Sequence, residues 1–376
     1  MNNSQPHTTR LEISMDRQTL DVFVDGICKR SFSVSTSEKG MGFTEGSLRT
    51  PTGRFVISEK IGGDQPIYTK FVAREPVGTW NPEEITGDDL ILTRILRLDG
   101  LDEENANTMD RYVYIHGTNR EDLIGRPASH GCIRLANEDM IELFDLVTPM
   151  SEVQVMPLTK KRGRILFIDC DSTLSSIEGI DELARLSDPA IFAEVVNLTN
   201  AAMNGEVPLN DVFKKRMDII KPSKSMVDKV SQCYLETMVP GVESMISRVI
   251  EAGWLPVIIS GGFAPIIKPL ADHLGIRHVE AVPLNFNELG EYCGYGEDYP
   301  TTRNLGKNEI IRDWKKALLP ERVVMIGDGI SDLETKPDVD LMVGFGGVVQ
   351  RGKVKEGADI WIEDFNTQED LTDLIK

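Results

Sequence analysis

The hydrophobic pattern of the chain changes near residue 160, and this change limits the folds open to it. Before that point apolar residues alternate with polar ones, as at Leu11, Ile13 and Met15. An alternation of period two is typical of strands with one buried face. A turn signal, Asp25-Gly26, follows the second run of this kind. The first part is therefore predicted to be mostly β.

One helix is predicted within this first part. Asn137 is a favourable N-cap residue, and Met140, Phe144 and Val147 follow it at helical spacing. We therefore expect a helix that follows Asn137 as its cap.

Beyond residue 163, short and fully apolar runs precede helical patterns. The runs cover 165–168, 255–259 and 323–326. Such strands with intervening helices indicate a parallel sheet covered on both faces, with ligands at the carboxyl ends of the strands. The basic stretch 158–163 is interpreted as a linker between a first domain, 1–157, and a second domain, 164–376.

Composition excludes several classes of function. Asp plus Glu outnumber Lys plus Arg by 60 to 41, which gives a formal charge of −19. This balance argues against nucleic acid or an anionic membrane as a partner, because both require a basic face. No stretch approaches the ~20 apolar residues that span a bilayer, and the first residues lack a secretion signal. Five scattered cysteines favour a cytoplasmic location.

Two predicted strand ends in the second domain carry groups suited to phosphate chemistry. Asp169 and Asp171 follow the first strand. A carboxylate pair there can divide phosphoryl transfer, with one attacking phosphorus and the other moving protons. Ser260 and Gly261 follow the second strand at a predicted helix start, where a hydroxyl and glycine amides suit an anion.

The third strand end carries Asp328 and Asp332, which are suited to a hard cation. Lys307, predicted to open a helix, can bring a positive charge to the phosphate. Each signal is common when it stands alone, and it is their order along the chain that points to one site.

Residues from about 164 to 376 resemble phosphoserine phosphatases of the haloacid-dehalogenase-like superfamily. The resemblance implies a Rossmann-like core, a helical cap at about 178–250, and Mg²⁺-dependent hydrolysis of O-phospho-L-serine through an aspartyl-phosphate, as in serine biosynthesis. Another small phosphomonoester stays open as the substrate. The matching motifs include Asp169-Cys-Asp-Ser-Thr-Leu174, Ile258-Ile-Ser-Gly-Gly-Phe263 and Met325-Ile-Gly-Asp-Gly329.

Roles for the acids follow from this resemblance. Asp169 would be the nucleophile, and Asp171 would act as general acid and then as base for the hydrolytic water. Magnesium would be bound by Asp169, by the backbone carbonyl of Asp171 and by Asp328, with Asp332 in the outer shell.

The same resemblance implies a pocket that recognises the whole phosphoserine molecule. Glu178 would pair with its ammonium group, Arg216 would bind its carboxylate, and Met203 would supply an apolar lid contact. A guanidinium group suits bidentate binding of a carboxylate. The phosphate would be held by Ser260, Gly261 and Lys307.

A second group of reactive residues lies in the first domain. His116, His130 and Cys132 fall within one short window. A cysteine needs a base or a positive environment to form a thiolate, and a nearby histidine gives the Cys–His arrangement of acyl transfer. A zinc site is the competing interpretation, but these three residues lack a fourth ligand at regular spacing.

Residues from about 11 to 157 resemble the catalytic domain of L,D-transpeptidases, which remodel peptidoglycan cross-links. The motif Ser129-His-Gly-Cys-Ile-Arg-Leu135 carries the resemblance, and the segment 50–54 supports it. Similarity is weaker between 60 and 110, where 80–84 and 99–110 are interpreted as variable loops that help to define the substrate.

The resemblance assigns roles to five residues of this domain. Cys132 would be the nucleophile and His116 the base. Backbone amides around His130, Gly131 and Cys132 would form an oxyanion hole, and Arg134 would shape the acyl-donor pocket.

These two resemblances imply different compartments, and three hypotheses follow. Both domains are active in the cytoplasm, the first as carboxypeptidase or exchange enzyme on soluble peptidoglycan-type peptides. Alternatively, the first domain is a non-catalytic binding or regulatory module. In the third hypothesis the chain starts further upstream and is exported.

Overall fold

The computed structural model describes residues 8–84, 86–187, 189–203, 209–366 and 371–375. Side chains are described for these residues apart from 199–203, 209–211 and 374. The chain forms two compact units, whose main boundary lies between Lys161 and Arg162. In the described part of the chain, no helix has the length and apolar character needed to cross a membrane.

The first unit is built on one large sheet and a helix, α1 (Asn137–Leu146). The path of the sheet is β3-β2-β1-β10-β4-β7-β5-β6, and β8 pairs with both β7 and β9. Its strands are β1 (Thr9–Ser14), β2 (Thr19–Val24), β3 (Ile27–Ser33), β4 (Gly53–Ile61), β5 (Thr69–Val72), β6 (Glu75–Thr79), β7 (Ile91–Gly100), β8 (Tyr114–Gly117), β9 (Ile133–Leu135) and β10 (Glu152–Met156).

The period-two pattern corresponds to strands with one face in a core. Leu11 and Ile13 of β1 and Leu20 and Val22 of β2 are fully buried. Asp25 and Gly26 join β2 to β3 with φ angles of 50° and 78°. Positive φ at both central residues is the requirement of the tight hairpin turn that matches strand twist.

Helix α1 begins one residue earlier than predicted. Ala136 occupies the N-cap position, and Asn137 is the first helical residue. The Asn137 side chain instead donates to the carbonyl of Thr118 at 2.7 Å, and its backbone N–H donates to Glu121 at 2.7 Å. The expected cap was wrong because a long-range glutamate accepts from the first turn in place of a local side chain.

The segment between 60 and 110 contains more regular structure than the sequence indicated. Strand β7 runs through it and pairs with β4, β5 and β8. Asp99, predicted to begin a variable loop, lies within β7 opposite Val56.

The second unit is built on a six-stranded parallel sheet in the order β13-β12-β11-β16-β17-β18. From β11 the chain adds β12 and β13 on one side of the sheet, and then β16, β17 and β18 on the other side. The strands β11 and β16 therefore flank the crevice where such sheets bind ligands. The strands, including a separate hairpin of β14 and β15, are β11 (Arg164–Ile168), β12 (Trp254–Phe263), β13 (His278–Val282), β14 (Leu284–Phe286), β15 (Tyr292–Tyr295), β16 (Arg322–Gly327), β17 (Leu341–Phe345) and β18 (Ile360–Ile362).

Helices follow the strands of this sheet, and four of them lie together between β11 and α6. Helices α2, α3, α4 and α5 contact one another, whereas α6 packs on β12. The helices are α2 (Gly179–Arg185), α3 (Pro189–Met203), α4 (Leu209–Ile220), α5 (Lys224–Glu236), α6 (Val242–Glu251), α7 (Ala264–His273), α8 (Gly306–Leu318), α9 (Ile330–Leu333), α10 (Gly352–Gly357) and α11 (Leu371–Leu374).

The predicted linker is partly ordered against the first unit. Leu158 is buried in its core, and the Thr159 amide donates to Asp16 at 3.1 Å. The predicted fold class, a mostly β first part followed by an α/β second part, is confirmed.

Candidate functional site

The carboxyl ends of β11 and β16 bring the predicted acids of the second unit together. Asp169 follows β11 directly, and its backbone N–H donates to the carbonyl of Ile326 on β16 at 2.9 Å. Asp328 follows β16 directly. The carboxylates of Asp169, Asp328 and Asp332 are buried, with oxygen atoms all within 4.8 Å of one another.

Lys307 supplies the positive charge that this cluster needs. Its ammonium nitrogen lies 2.8 Å from Asp169 Oδ1 and 2.6 Å from Asp332 Oδ1. Burial alone would lower the pKa of Lys307, but the two carboxylates raise it above its ordinary value. Lys307 is therefore a permanent cation next to the predicted nucleophile.

One ammonium does not balance three buried carboxylates. Burial, reinforced by the charge of Asp169, raises the pKa of Asp328 to about 6 and that of Asp332 to about 8. Arg351 Nε, 3.2 Å from Asp328 Oδ2, opposes this shift. Oxygen ligands that still favour more positive charge are the donor set that Mg²⁺ prefers, so the residues fit the expected metal.

The carboxylate of Asp171 makes its hydrogen bonds with residues outside this cluster. Its Oδ1 accepts hydrogen bonds from the Gly179 amide at 2.8 Å and from the Tyr234 hydroxyl. Its Oδ2 accepts from the Ser260 hydroxyl at 3.2 Å. Burial, together with the charge of Asp169, raises the pKa of Asp171 to about 6, a value suited to a group that both donates and accepts a proton near neutral pH.

Strand β12 continues through Ser260, Gly261 and Gly262, beyond its predicted end at residue 259, and then leads into the predicted helix. Helix α7 begins only at Ala264. The Ser260 hydroxyl accepts from the Gly262 amide at 2.8 Å. A Cβ atom at Gly262 would lie 2.9 Å from Asp171 Oδ2, so this position requires glycine, whereas at Gly261 the nearest atom would be 3.6 Å away.

Two of the predicted substrate residues lie close to these acids, Arg216 being buried and Glu178 half-buried. The Ser172 hydroxyl donates to Glu178 Oε1 at 2.7 Å, and burial, with the charge of Asp171, raises the pKa of Glu178 well above its ordinary value. Arg216 on α4 is 3% exposed, and burial lowers its pKa against the opposing charges of Asp181 and Glu178. Met203 ends α3, and its side chain lies outside the described residues.

In the first unit, β8 and β9 pair in parallel, with His116 of β8 opposite Arg134 and Cys132 directly before β9. The Tyr114 amide donates to Cys132 Sγ at 3.4 Å, and the thiol donates to the Tyr112 carbonyl at 3.5 Å. His116 Nδ1 donates to the Gly117 carbonyl at 2.7 Å. Because a carbonyl only accepts, Nδ1 carries the proton and Nε2 is left with a lone pair.

Neither reactive group of this site is charged at rest. Burial lowers the pKa of His116 and raises that of the Cys132 thiol to about 11. Within the described part of the chain, no hydrogen bond joins the imidazole to the thiol. The arrangement is a neutral thiol with a neutral base on the adjacent strand.

An unpredicted carboxylate holds two of the predicted residues around the thiol. Asp89 Oδ2 accepts from His130 Nδ1 at 2.9 Å and forms an ion pair with the buried Arg134. Burial opposes ionisation of Asp89, but His130 and Arg134 keep its pKa below its ordinary value. The Gly131 amide donates to the Ser129 hydroxyl at 3.3 Å.

Sequence reasoning missed Tyr234, Gly262, Arg351 and Asp89. Gly262 lies within a motif that was recognised, but its sequence does not indicate that a side chain there would collide with Asp171. Tyr234 and Arg351 lie in ordinary helical or loop sequence, and Asp89 lies between the two predicted variable loops, in the stretch 60–110 of weaker similarity. No local signal marks these three residues.

Comparison with known proteins agrees with this division of the chain. A family model of the L,D-transpeptidase catalytic domain matches residues 8–155, and a model of haloacid dehalogenase-like hydrolases matches residues 164–335.

The second unit is also similar to individual curated and solved proteins. A phosphoserine phosphatase of Mus musculus is 38% identical over 199 residues, which cover 52% of this chain and 88% of the mouse protein. One of Drosophila melanogaster is 35% identical over 222 residues, 58% of this chain and 82% of the fly protein. The structure of a phosphoserine phosphohydrolase-like protein from Francisella tularensis subsp. tularensis SCHU S4 matches with a TM-score of 0.50 and 25% identity, over 58% of this chain and 100% of that one. The chain therefore belongs to the phosphoserine phosphatase family of haloacid dehalogenase-like hydrolases, and it carries an L,D-transpeptidase catalytic domain ahead of its phosphatase part.

Proposed function

We propose that the second unit hydrolyses O-phospho-L-serine to L-serine and phosphate through an aspartyl-phosphate on Asp169. The observation that carries this proposal is the placement of Lys307 2.8 Å from Asp169 Oδ1, with Asp171 two residues along the chain. A carboxylate can approach a phosphate dianion only where positive charge offsets their repulsion. The described site supplies that charge beside the nucleophile.

In the first step an Asp169 oxygen attacks phosphorus, and the bond between phosphorus and the serine oxygen breaks. The electron pair of that bond goes to the serine oxygen, which takes a proton from Asp171 and leaves as the hydroxyl of serine. Ser260 and Lys307 bind the phosphate oxygens during transfer. Asp169 thus acts as the nucleophile and Asp171 as the acid, two roles that their different surroundings allow.

In the second step water attacks the phosphorus of the aspartyl-phosphate while Asp171 takes a proton from it. The bond from phosphorus to the Asp169 oxygen breaks, its electron pair returns to the carboxylate, and phosphate is released. Mg²⁺, held by Asp169, Asp328 and the Asp171 carbonyl with Asp332 close by, would supply further positive charge to the phosphate.

Selectivity for phosphoserine is assigned to Glu178 and Arg216. Arg216 is buried and Glu178 is half-buried, and the charge of Glu178 opposes the lowering of the Arg216 pKa by burial. A zwitterionic substrate would bring an ammonium to the carboxylate and a carboxylate to the guanidinium, which offsets the cost of removing these charges from water. A cytoplasmic location, expected from the sequence, would give the enzyme access to soluble phosphoserine and connect it to serine biosynthesis.

We propose acyl transfer at Cys132 as a second activity, on peptides of the peptidoglycan type. Because the thiol and His116 are both neutral, the thiol would lose its proton to His116 Nε2 as sulfur attacks the peptide carbonyl. The amine would leave with that proton, and the resulting thioester would pass to a second amine or to water. Cys132 packs against the apolar cluster of Phe71, Ile95 and Tyr114. Phe71 also lines a cleft of about 230 Å³ with Arg74 and Glu75. Such a cleft is suited to part of an extended peptide.

Asp169→Asn is expected to lower kcat for phosphoserine by roughly a thousandfold or more, because an amide cannot act as the nucleophile. Phosphate release by the purified protein measures this loss. Brief exposure to radiolabelled phosphoserine should label the unaltered chain in acid-quenched samples and leave the variant unlabelled. A variant that still turns over would remove Asp169 from the nucleophile's role.

Arg216→Ala is expected to lower kcat/KM for phosphoserine by roughly a hundredfold, the scale of a lost buried charge partner. Activity on 4-nitrophenyl phosphate should change far less, since that ester has no carboxylate. Arg312→Ala, which removes an exposed arginine paired with Asp338, is the matched control. Equal losses on both esters would contradict the assigned role and favour another small phosphomonoester as the substrate.

The thiol of Cys132 should react with iodoacetamide at pH 7 at least tenfold more slowly than an ordinary exposed thiol, because its raised pKa leaves little thiolate. Cys28 and Cys293, both exposed, serve as internal controls in mass spectrometry of the labelled protein. The rate at Cys132 should continue to rise with pH above 9. Faster labelling of Cys132 than of the controls would show a thiolate formed at rest.

A soluble peptidoglycan tetrapeptide incubated with the protein should lose or exchange its terminal D-residue, as detected by mass spectrometry. Cys132→Ala should abolish this change while leaving phosphate release intact. An unchanged tetrapeptide would instead favour a non-catalytic binding or regulatory module in the first unit.

A further inference from the structure

Tyr234 is a buried side chain at the phosphatase site that the reaction described above does not use. It lies on α5, and its phenol is fully excluded from solvent. The hydroxyl donates a hydrogen bond to Asp171 Oδ1. This contact joins a helix distant in sequence to the carboxyl group assigned as general acid.

The hydrogen bonds around Asp171 distinguish its two oxygen atoms. Oδ1 accepts from Tyr234 and also from the Gly179 amide at 2.8 Å. A carboxylate oxygen offers two lone pairs in the plane of the group, so two donors saturate Oδ1. A proton on Asp171 must then reside on Oδ2, which lies 3.2 Å from the Ser260 hydroxyl.

We propose that Tyr234 is a positioning residue for phosphoryl transfer, which holds the acid proton of Asp171 on Oδ2, the oxygen that faces Ser260 and Gly262. The inference rests on the proposed phosphatase function, and it adds to it the atom that delivers the proton. The proton moves from Oδ2 to the serine oxygen as the phosphorus–oxygen bond breaks, and Oδ1 keeps both of its donors throughout.

Two glycines next to the phenol and to Asp171 leave the space that the Tyr234–Asp171 hydrogen bond needs. A Cβ atom at Gly179 would lie 2.2 Å from the Tyr234 hydroxyl oxygen, so any larger residue would displace it. A Cβ atom at Gly262 would lie 2.9 Å from Asp171 Oδ2 on the opposite side. Two glycines thus leave room for the carboxyl group between the phenol and the phosphate-binding segment.

Loss of the phenolic hydroxyl would open one lone pair on Oδ1. The acid proton could then occupy either oxygen, and the carboxyl group could turn about its own bond. Only molecules with the proton on Oδ2 would protonate the leaving oxygen. The loss of activity should therefore be larger for an ester whose leaving group needs a proton.

The test compares Tyr234→Phe on phosphoserine and on 4-nitrophenyl phosphate through kcat/KM. This ratio reports the steps up to phosphorylation of Asp169, whereas hydrolysis of the aspartyl-phosphate is common to both esters. An alkyl leaving group requires the proton, and nitrophenolate leaves without it. We expect kcat/KM for phosphoserine to fall roughly tenfold, a fraction of what a general acid contributes, and that for the aryl ester to stay within about twofold. Inhibition by inorganic phosphate should be unchanged.

Tyr299→Phe is the matched control, because it removes a phenol that donates to Glu280, away from the acids. It should leave both esters unaffected. Gly179→Ala, which keeps the phenol but displaces it, should reproduce the selective loss and gives a second variant should Tyr234→Phe not fold.

Equal losses on the two esters, or no loss on either, would overturn the role of Tyr234 while leaving the phosphatase function in place. If the unaltered chain hydrolyses another alkyl phosphate but not phosphoserine, the proposed substrate is wrong. The Tyr234→Phe comparison then uses that alkyl phosphate in place of phosphoserine. A chain without activity on any phosphate ester would overturn the proposed function and this inference together.

Discussion

A single ammonium group between two carboxylates is the constraint on which the phosphatase site depends. Lys307 lies within 2.8 Å of oxygen atoms on both Asp169 and Asp332, and all three side chains are buried. Removing a charged partner from such a group leaves the others uncompensated in a medium that solvates them poorly. Helix α8, which begins at Gly306, fixes this charge against the ends of β11 and β16. The proposed binding of a phosphate and of a cation would both depend on the balance of charge that Lys307 sets.

Charge is handled in the opposite way in the first unit. The Cys132 thiol and the His116 imidazole are kept neutral by burial, and the nearby charges of Asp89 and Arg134 pair with each other. The acyl transfer proposed there would create its charges during the reaction, by moving a proton from sulfur to nitrogen. The phosphatase site is already charged before the substrate arrives, and its buried carboxylates need only a compensating positive charge. One chain thus contains two solutions to the cost of burying reactive groups.

Site residues that directly follow a strand in the sequence could be predicted. Site residues that come from distant parts of the chain could not. Asp169 and Asp328 follow apolar strands directly, so the parallel sheet alone brings them to one edge. Tyr234 and Asp89 arrive through the packing of a helix and a loop, which no local pattern encodes.

The same distinction applies to the fold. Short apolar runs marked β11, β12 and β16, whereas the ends of elements depended on distant partners. The cap of α1 was misjudged because Glu121 accepts from the first backbone amide of the helix, that of Asn137, in place of a local capping side chain. Strand β7 was missed because its pattern, which includes buried Thr93 and Arg94, does not alternate cleanly.

The pairing of β1 with β10 has a consequence for biosynthesis. Arg10 lies opposite Glu152, and β10 in turn pairs with β4, so the last strand of the first unit fills the middle of its sheet. The strand pairing of that sheet stays interrupted between β1 and β4 until β10 emerges from the ribosome. Contacts so distant in sequence form slowly, and exposed strand edges in the interval invite association with other chains. The second unit begins with its central strand, β11, and can assemble outward as synthesis proceeds.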